Sequence, residues 1–267
     1  MDANATSLFD LSGKVAIITG SSRGIGRAIA EEFALHGAKV VISSRRQDAC
    51  DLVAAEIDAT FGPGTALPVA ASISDKDALH RLVDETADKL GRIDILVCNA
   101  ASNPYYGPMS GISDDQFRKI FDNNVLSNHW LIQRCVPQME AVGEGSVIIV
   151  SSIGGLQATT VIGGYNISKA ADFQLARNLS AEYGERNIRF NCLAPGIIRT
   201  QFARALWENP DTLRQTTSTT PMRRIGDPRE IAGAAVFLGS KASSFMTGQT
   251  VVIDGGQMAL AGAFVER

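Results

Sequence analysis

Val15-Ala16-Ile17-Ile18-Thr19-Gly20-Ser21-Ser22-Arg23-Gly24-Ile25-Gly26 decides the architecture: an apolar run of strand length passes through a glycine-rich turn directly into a helical pattern. That pattern runs from Ile25 to His36. Gly37 stands where a left-handed cap is wanted, and Lys39-Val40-Val41-Ile42 follows as a second strand, completing a βαβ unit. Working outward, strands are expected at Ala66 to Ala70, Ile93 to Cys98, Ser146 to Val150, Ile188 to Cys192 and Thr250 to Ile253. Helices are expected near Lys76 to Leu90, Asp114 to Met139, Gly164 to Tyr183 and Pro228 to Leu238. Several of the seven strands are almost continuously apolar, so both faces must be covered. This predicts an α/β three-layer sandwich around a seven-stranded parallel, doubly wound sheet.

The 267 residues are 45% hydrophobic and 20% charged, without a repeat, low-complexity tract or long linker, which predicts one domain over residues 1–267. A net charge of -3 gives no basic field for nucleic acid. Cys50, Cys98, Cys135 and Cys192 lack CxxC spacing, and His36, His80 and His129 share no ligand spacing, so neither a disulfide framework nor a metal site is expected. Met1 to Ser12 has neither a basic start nor an apolar signal core, and no run is long enough to span a bilayer. The expectation is a cytoplasmic protein with no membrane partner.

The glycines of Gly20, Gly24 and Gly26 let backbone approach a pyrophosphate, and the N–H groups and positive dipole end of the following helix suit phosphate. Tight packing alone would also favour glycines there; the place between first strand and first helix favours the ligand. The spacing is G-x-x-x-G-x-G, unlike the G-x-G-x-x-G of other dinucleotide folds. About 20 residues on, where an acid would read a ribose 2′-hydroxyl, stand Ser44, Arg45 and Arg46. A carboxylate would repel a 2′-phosphate, whereas Arg45 can grip one, with Arg23 approaching from the glycine turn. The expected cofactor is NADP(H). The plain alternative is a pair of solvated arginines after a strand.

From about Leu11 to Gly256 the chain resembles the classical short-chain dehydrogenase/reductase family. The resemblance rests on Thr19 to Gly26, Asn99-Ala100-Ala101, Asn124, Ser151-Ser152, Tyr165-x-x-x-Lys169, Pro195-Gly196 with Thr200, and Asp254-Gly255-Gly256. It implies a Rossmann-like fold and a catalytic tetrad of Asn124, Ser152, Tyr165 and Lys169. It also implies cofactor contacts at Gly20, Ser22, Arg23, Gly24, Ile25, Gly26, Ser44, Arg45, Ser72, Asn99, Ala100, Tyr165, Lys169, Pro195, Gly196, Ile198 and Thr200. Within the family, Ile42 to Arg45, Asn103-Pro104-Tyr105-Tyr106 and Asn187 to Thr200 with Leu206-Trp207 look closest to NADP-dependent carbonyl reductases. Two positions depart from the pattern. Ala101 replaces a customary glycine, and Ser72 stands where an Asp commonly holds the adenine amino group, so that contact should be weaker.

Tyr165 and Lys169 are an i, i+4 pair, so a helix presents both on one face. A phenol ionises near pH 10, and a neighbouring ammonium is expected to favour the phenolate and make Tyr165 a usable acid and base. Ser152, after a strand, can hold and polarise a substrate oxygen. The resemblance gives Asn124 the task of distorting its helix so that a water links Lys169 to solvent. Any isolated Y-x-x-x-K would be an ordinary surface pair; here the surrounding motifs favour chemistry.

Residues 197–226 form the least regular region, with Phe202, Leu206 and Trp207 on a helical spacing, and follow a strand end where ligands bind in such sheets. They are expected to cover a substrate; a self-packed surface hairpin is the alternative. Candidate substrate contacts are Ser102, Asn103, Tyr105, Tyr106, Ser152, Leu156, Phe202, Leu206 and Trp207, a moderately apolar and aromatic set. The leading expectation is reversible reduction of a ketone or aldehyde to an alcohol. A 3-oxoacyl thioester reductase and an NADP-binding sensor without turnover are the alternatives. The long helices around Asp114 to Met139 and Gly164 to Tyr183 resemble those through which family members associate, which implies a homotetramer.

Overall fold

The computed structural model describes residues 7–260. Its strands are β1 (Val15–Thr19), β2 (Lys39–Ser43), β3 (Ala66–Pro68), β4 (Ile95–Cys98), β5 (Gly145–Val150), β6 (Ile188–Pro195) and β7 (Thr250–Ile253). They form one sheet in the order β3-β2-β1-β4-β5-β6-β7, and every neighbouring pair is parallel. The strand order reverses between β1 and β4, the switch point at whose carboxyl end ligands bind in sheets of this kind.

The helices are α1 (Gly24–Leu35), α2 (Gln47–Phe61), α3 (Lys76–Leu90), α4 (Asp114–Phe121), α5 (Ser127–Val142), α6 (Gly163–Tyr183), α7 (Pro210–Ser218) and α8 (Pro228–Gly239). Successive strand residues point to opposite faces, so the neighbours Ile17 and Ile18 enter different cores. Ile18 packs with Ile29 and Phe33 of α1, Val53 of α2 and Ile231 of α8. Ile17 packs with Leu79 and Leu82 of α3, Leu131 of α5 and Phe173 of α6. Each fully buried side chain of this size contributes roughly 1.5–3 kcal/mol. The single α/β domain with a seven-stranded doubly wound sheet is therefore as expected.

Three details differ from the sequence expectation. The stretch from Asp114 to Met139 is not one helix: a π-helical turn at Asp122–Leu126 separates α4 from α5. Helix α2 was not foreseen, although Cys50, Val53, Ala54 and Ile57 bury at the spacing of one helical face. Phe202, Leu206 and Trp207 do not lie along a helix. Only a 3-10 turn, Arg204–Leu206, forms there, and the helix of this region is α7 in the polar stretch beyond it. Asn209 starts α7 by accepting from Asp211 N at 2.8 Å, and Pro210 occupies its first turn.

Candidate active site

The glycine turn is drawn tightly onto the end of β4. Thr19 Oγ1 accepts from Asn99 N at 3.0 Å and Ala100 N at 3.1 Å, while Asn99 Nδ2 donates to Thr19 O at 2.8 Å. A Cβ on Gly20 would stand 2.9 Å from Asn99 Nδ2, and one on Gly26 2.5 Å from the same atom, so no larger residue fits between the two loops. Gly24, at φ +58, faces Thr200. No side chain caps the N-terminus of α1, which leaves its first N–H groups free for an anion.

Arg23 and Arg45 are exposed and have no side-chain partner among the described residues. Arg46, by contrast, is tied to Asp48 through Nε at 2.9 Å. Ser72, half-buried, shares a hydrogen bond with Ser74 Oγ at 2.9 Å. The uncapped helix, the glycine cradle and two uncommitted guanidinium groups fit a phosphorylated dinucleotide.

Ser152 follows β5, and Tyr165 and Lys169 sit in the first turns of α6. The Lys169 ammonium donates to Val150 O at 2.9 Å and to Asp172 Oδ2 at 3.2 Å, and lies 5.8 Å from the Tyr165 ring centroid. Ser152 lies near enough to Tyr165 to pull its phenol down, the least of the influences on it, and its Oγ accepts from Gly154 N at 3.0 Å. Phe202 brings its ring within 6.0 Å of the Tyr165 ring.

Asn124 is completely buried. Its Oδ1 accepts from Ser102 N at 2.8 Å, and its Nδ2 donates to Ser102 O and Ser168 Oγ, both at 3.0 Å. The π turn replaces the regular i to i+4 ladder, and side chains take the carbonyls it leaves. Ser127 Oγ donates to Asn123 O at 2.7 Å, and Asn128 Nδ2 to Asn124 O at 2.7 Å. The Asn124 side chain thus ends on Ser102 and Ser168, and its backbone leads through Asn128 towards Asp172.

The charges around the pair pull in opposite directions. Burial pushes the Tyr165 phenol up, and the opposing pull of Lys169 does not overcome it, partly because Asp172 adds a negative charge nearby. Burial pulls the Lys169 ammonium down, but Asp172 and Tyr165 outweigh it and the lysine ends above its ordinary value. Lys169 therefore favours the phenolate, as expected, but does not overcome burial. Both groups hold their protons at neutral pH.

The other expected residues scatter more widely. Gly196 N donates to Ile253 O at 2.9 Å, and a Cβ there would meet Asp254 Cα at 2.7 Å, so the turn after β6 lies against the end of β7. Ile198 is buried and bridges to Gly226. Ser102 is committed to Asn123 and Asn124, whereas Asn103 Oδ1 is buried with no partner among the described residues. Tyr105 turns its hydroxyl to Pro108 O at 2.9 Å. Tyr106 and Leu156 are exposed. The turn carrying Leu206 is held by Thr216 Oγ1, which donates to Leu206 O at 3.3 Å. Trp207 donates from Nε1 to Thr200 O at 3.1 Å, Arg199 lies 5.3 Å from its ring, and it lines a shallow cavity of about 380 Å³ with Gly24, Arg27 and Thr200.

Asp172 was missed. Its signal was present as an acid three residues after Lys169 in an otherwise apolar stretch, Ala170-Ala171-Asp172-Phe173.

A doubly wound sheet with this site at its switch point defines a dinucleotide-type α/β protein with a tyrosine–lysine pair, and comparison with known proteins narrows it. A family model described as Enoyl-(Acyl carrier protein) reductase matches residues 20–258. Dehydrogenase/reductase SDR family member 4 of Bos taurus is 41% identical over 249 residues, 93% of this chain and 88% of that protein. Among solved structures, a gluconate 5-dehydrogenase from Burkholderia cenocepacia, in complex with NADP and tartrate, is 31% identical with a TM-score of 0.90, covering 95% of this chain and 98% of that one. A 7α-hydroxysteroid dehydrogenase, complexed with NADH and a 7-oxo bile acid, is 38% identical with a TM-score of 0.87, covering 93% and 95%. The chain belongs to the short-chain dehydrogenase/reductase family.

Proposed function

We propose that the protein is an NADP(H)-dependent oxidoreductase that reversibly reduces a ketone or aldehyde carbonyl to an alcohol. The observation that carries this reading is the meeting of Tyr165 and Lys169 on α6 with the end of β5, where Ser152 follows, in a fold whose glycine turn after β1 has no room for side chains. Family membership and NADP-holding relatives support nicotinamide dinucleotide use. Arg23 and Arg45, both uncommitted, and the lack of an acid after β2 support NADP(H) over NAD(H). The residues that would hold it are Gly20, Ser22, Arg23, Gly24, Ile25, Gly26, Ser44 and Arg45 at the phosphate end. Ser72, Asn99, Ala100, Pro195, Gly196, Ile198 and Thr200 complete the site, with Tyr165 and Lys169 at the reacting end.

When bound, the dinucleotide supplies or accepts the hydride. Ser152 holds the substrate oxygen against Tyr165 and stabilises its developing charge. Tyr165, protonated at neutral pH, gives its proton to that oxygen in reduction and takes it back in oxidation. Lys169 keeps one N–H for a ribose hydroxyl, the other two being taken by Val150 O and Asp172. Asn124 fixes the start of α6 to the loop after β4 through Ser168 and Ser102. Residues 197–226 cover the substrate, with Phe202 over Tyr165 and Asn103, Tyr105, Leu156, Leu206 and Trp207 as further contacts.

A similar solved structure, described as a 3-oxoacyl (acyl-carrier-protein) reductase with NADP bound, favours a second reading, reduction of a 3-oxoacyl thioester. The test follows NADPH and NADH consumption against ketones, aldehydes and 3-oxoacyl thioesters, with Tyr165→Phe beside the unmodified enzyme. NADPH-dependent turnover of free carbonyls that vanishes in the variant is expected. Turnover of thioesters alone would replace the first reading by the second, and tight NADPH binding without turnover would replace both by a sensor.

Assembly and location extend the proposal. Exposed Leu126 and Ile167, beside α5 and on α6, support association into a homotetramer, and a monomeric mass in solution would overturn it. Four buried cysteines without a disulfide support a cytoplasmic setting. Among the described residues no helix is long and apolar enough to cross a membrane.

A further inference from the structure

The family motif accounts for Tyr165 and Lys169, but the centre of the buried polar cluster is Asp172. Its side chain is completely buried, and it is ion-paired with Lys169 at 3.2 Å. Its other oxygen, Oδ1, accepts from Asn128 Nδ2 at 3.2 Å, and the same amide nitrogen donates to the Asn124 carbonyl at 2.7 Å. A carboxylate in such a place needs its partners, because an unpaired buried charge is strongly unfavourable. The arrangement therefore spans the π turn, α5 and the first turns of α6.

We infer that Asp172 is a positioning residue that sets the pH range of the reaction, acting through Lys169. The inference rests on the carbonyl-reductase reading of the same site. In the dry interior, Lys169 would lose its proton readily without a counter-charge, and Asp172 supplies one while drawing the ammonium to the end of β5. The same negative charge lies close enough to Tyr165 to oppose its ionisation. Tyr165 and Lys169 behave as a coupled pair, so its proton losses belong to the pair and not to one residue. Whichever of the two gives up its proton first, Asp172 delays the loss to higher pH.

Other titratable groups face the pair from the packed elements. They are Cys98 of β4 and Cys192 of β6, with Cys135 of α5 beside Cys98, and Arg177 of α6 acts on Cys192. Burial pushes all three thiols up, so they remain neutral where the enzyme works. Burial also pushes the Asp172 carboxyl up, against the pull of Lys169 and the hydrogen bond from Asn128; ion-paired with Lys169 at 3.2 Å, it is the negative charge of this cluster.

The test compares the unmodified enzyme with Asp172→Asn and Asp172→Glu. Asparagine keeps the shape and an acceptor for Lys169 but removes the charge; glutamate restores the charge. In carbonyl reduction, activity falls on the alkaline side as the pair deprotonates. That fall should move down by about one pH unit or more in Asp172→Asn and return toward its original place in Asp172→Glu. An equal loss of rate at every pH would mean that Asp172 only supports the structure, and would overturn the inference.

A second readout needs no substrate. The ultraviolet absorbance of tyrosinate, followed against pH with Tyr165→Phe as the blank among the four tyrosines, reports ionisation of Tyr165 directly. Earlier ionisation in Asp172→Asn supports the inference even if the carbonyl panel gives no turnover, which would count against the functional reading alone. Unchanged ionisation, in a variant that still melts cooperatively, overturns it.

Discussion

Two regions meet over Tyr165, and they are held together in different ways. Beneath it, Asn124, Ser168, Lys169 and Asp172 are buried, and each side chain is bonded to others that are buried or nearly so. Above it, most of the segment from Arg199 to Arg224 is exposed, and its charged pairs, such as Arg204 with Glu208, join near neighbours on the same stretch of chain. The lower region is a network in which removing one group strands another. The upper one is a set of local contacts that can be changed one at a time. Chemistry should therefore fail through the lower region, and substrate affinity should drift through the upper.

The largest effect should come from Tyr165→Phe, which removes the proposed proton donor while leaving the ring. We expect kcat for carbonyl reduction to fall by about 10²–10⁴-fold, with NADPH affinity measured by fluorescence titration little changed. Retained turnover would place the acid elsewhere. Arg45→Ala sharpens the comparison from outside both regions. The NADPH dissociation constant should rise by about 10- to 100-fold while that for NADH stays put, and the loss should shrink in high salt because the site is exposed. Equal losses for both cofactors would remove the 2′-phosphate from the argument.

Trp207→Phe takes one N–H bond, to Thr200 O, from the upper region. KM should rise by about 3- to 10-fold with little change in kcat. A fall in kcat as deep as that of Tyr165→Phe would break the distinction between the regions. The smallest effect belongs to Glu230, whose carboxylate takes both arms of Arg224, at 2.6 and 2.7 Å, and Asp227 N at 2.8 Å. These bonds, led by Arg224, hold Glu230 down at about 2. Its folded value is lowered, so its stabilisation is present above the ordinary glutamate range and lost as pH falls towards 2. Glu230→Gln should cost less than about 1 kcal/mol at neutral pH because the pair is exposed, and the difference should vanish in acid melts.

The apolar runs made the sheet legible: Val15 to Thr19 and Thr250 to Ile253 have the same limits in sequence and structure, and Gly37 lies just beyond α1. The π turn was not legible in the helical pattern, although the family resemblance placed a distortion at Asn124, because its cause is tertiary. Asn124 is pulled between Ser102 and Ser168, residues distant in sequence, and a helical pattern does not reveal that pull. Helix α7 was hidden by a composition of Thr and Ser that suggests loop, although Asn209-Pro210 marks its start. The family motifs pointed to Tyr165 and Lys169 but not to the balance of charge around them. That balance depends on burial, and the acid three residues beyond the lysine passed for an ordinary helical neighbour.

The two ends of the cover are fastened side by side. Gly226 N donates to Ile197 O, and Arg199 N to Gly226 O, both at 2.9 Å. Everything between these points is a closed loop, like an exchangeable cassette, and each doubling of such a loop costs only about 0.6 kcal/mol in closure entropy. On the proposed reading, a lineage, or an engineer, could lengthen, shorten or swap the stretch between Thr200 and Ile225 and so change substrate choice, while the proposed proton machinery stays as it is.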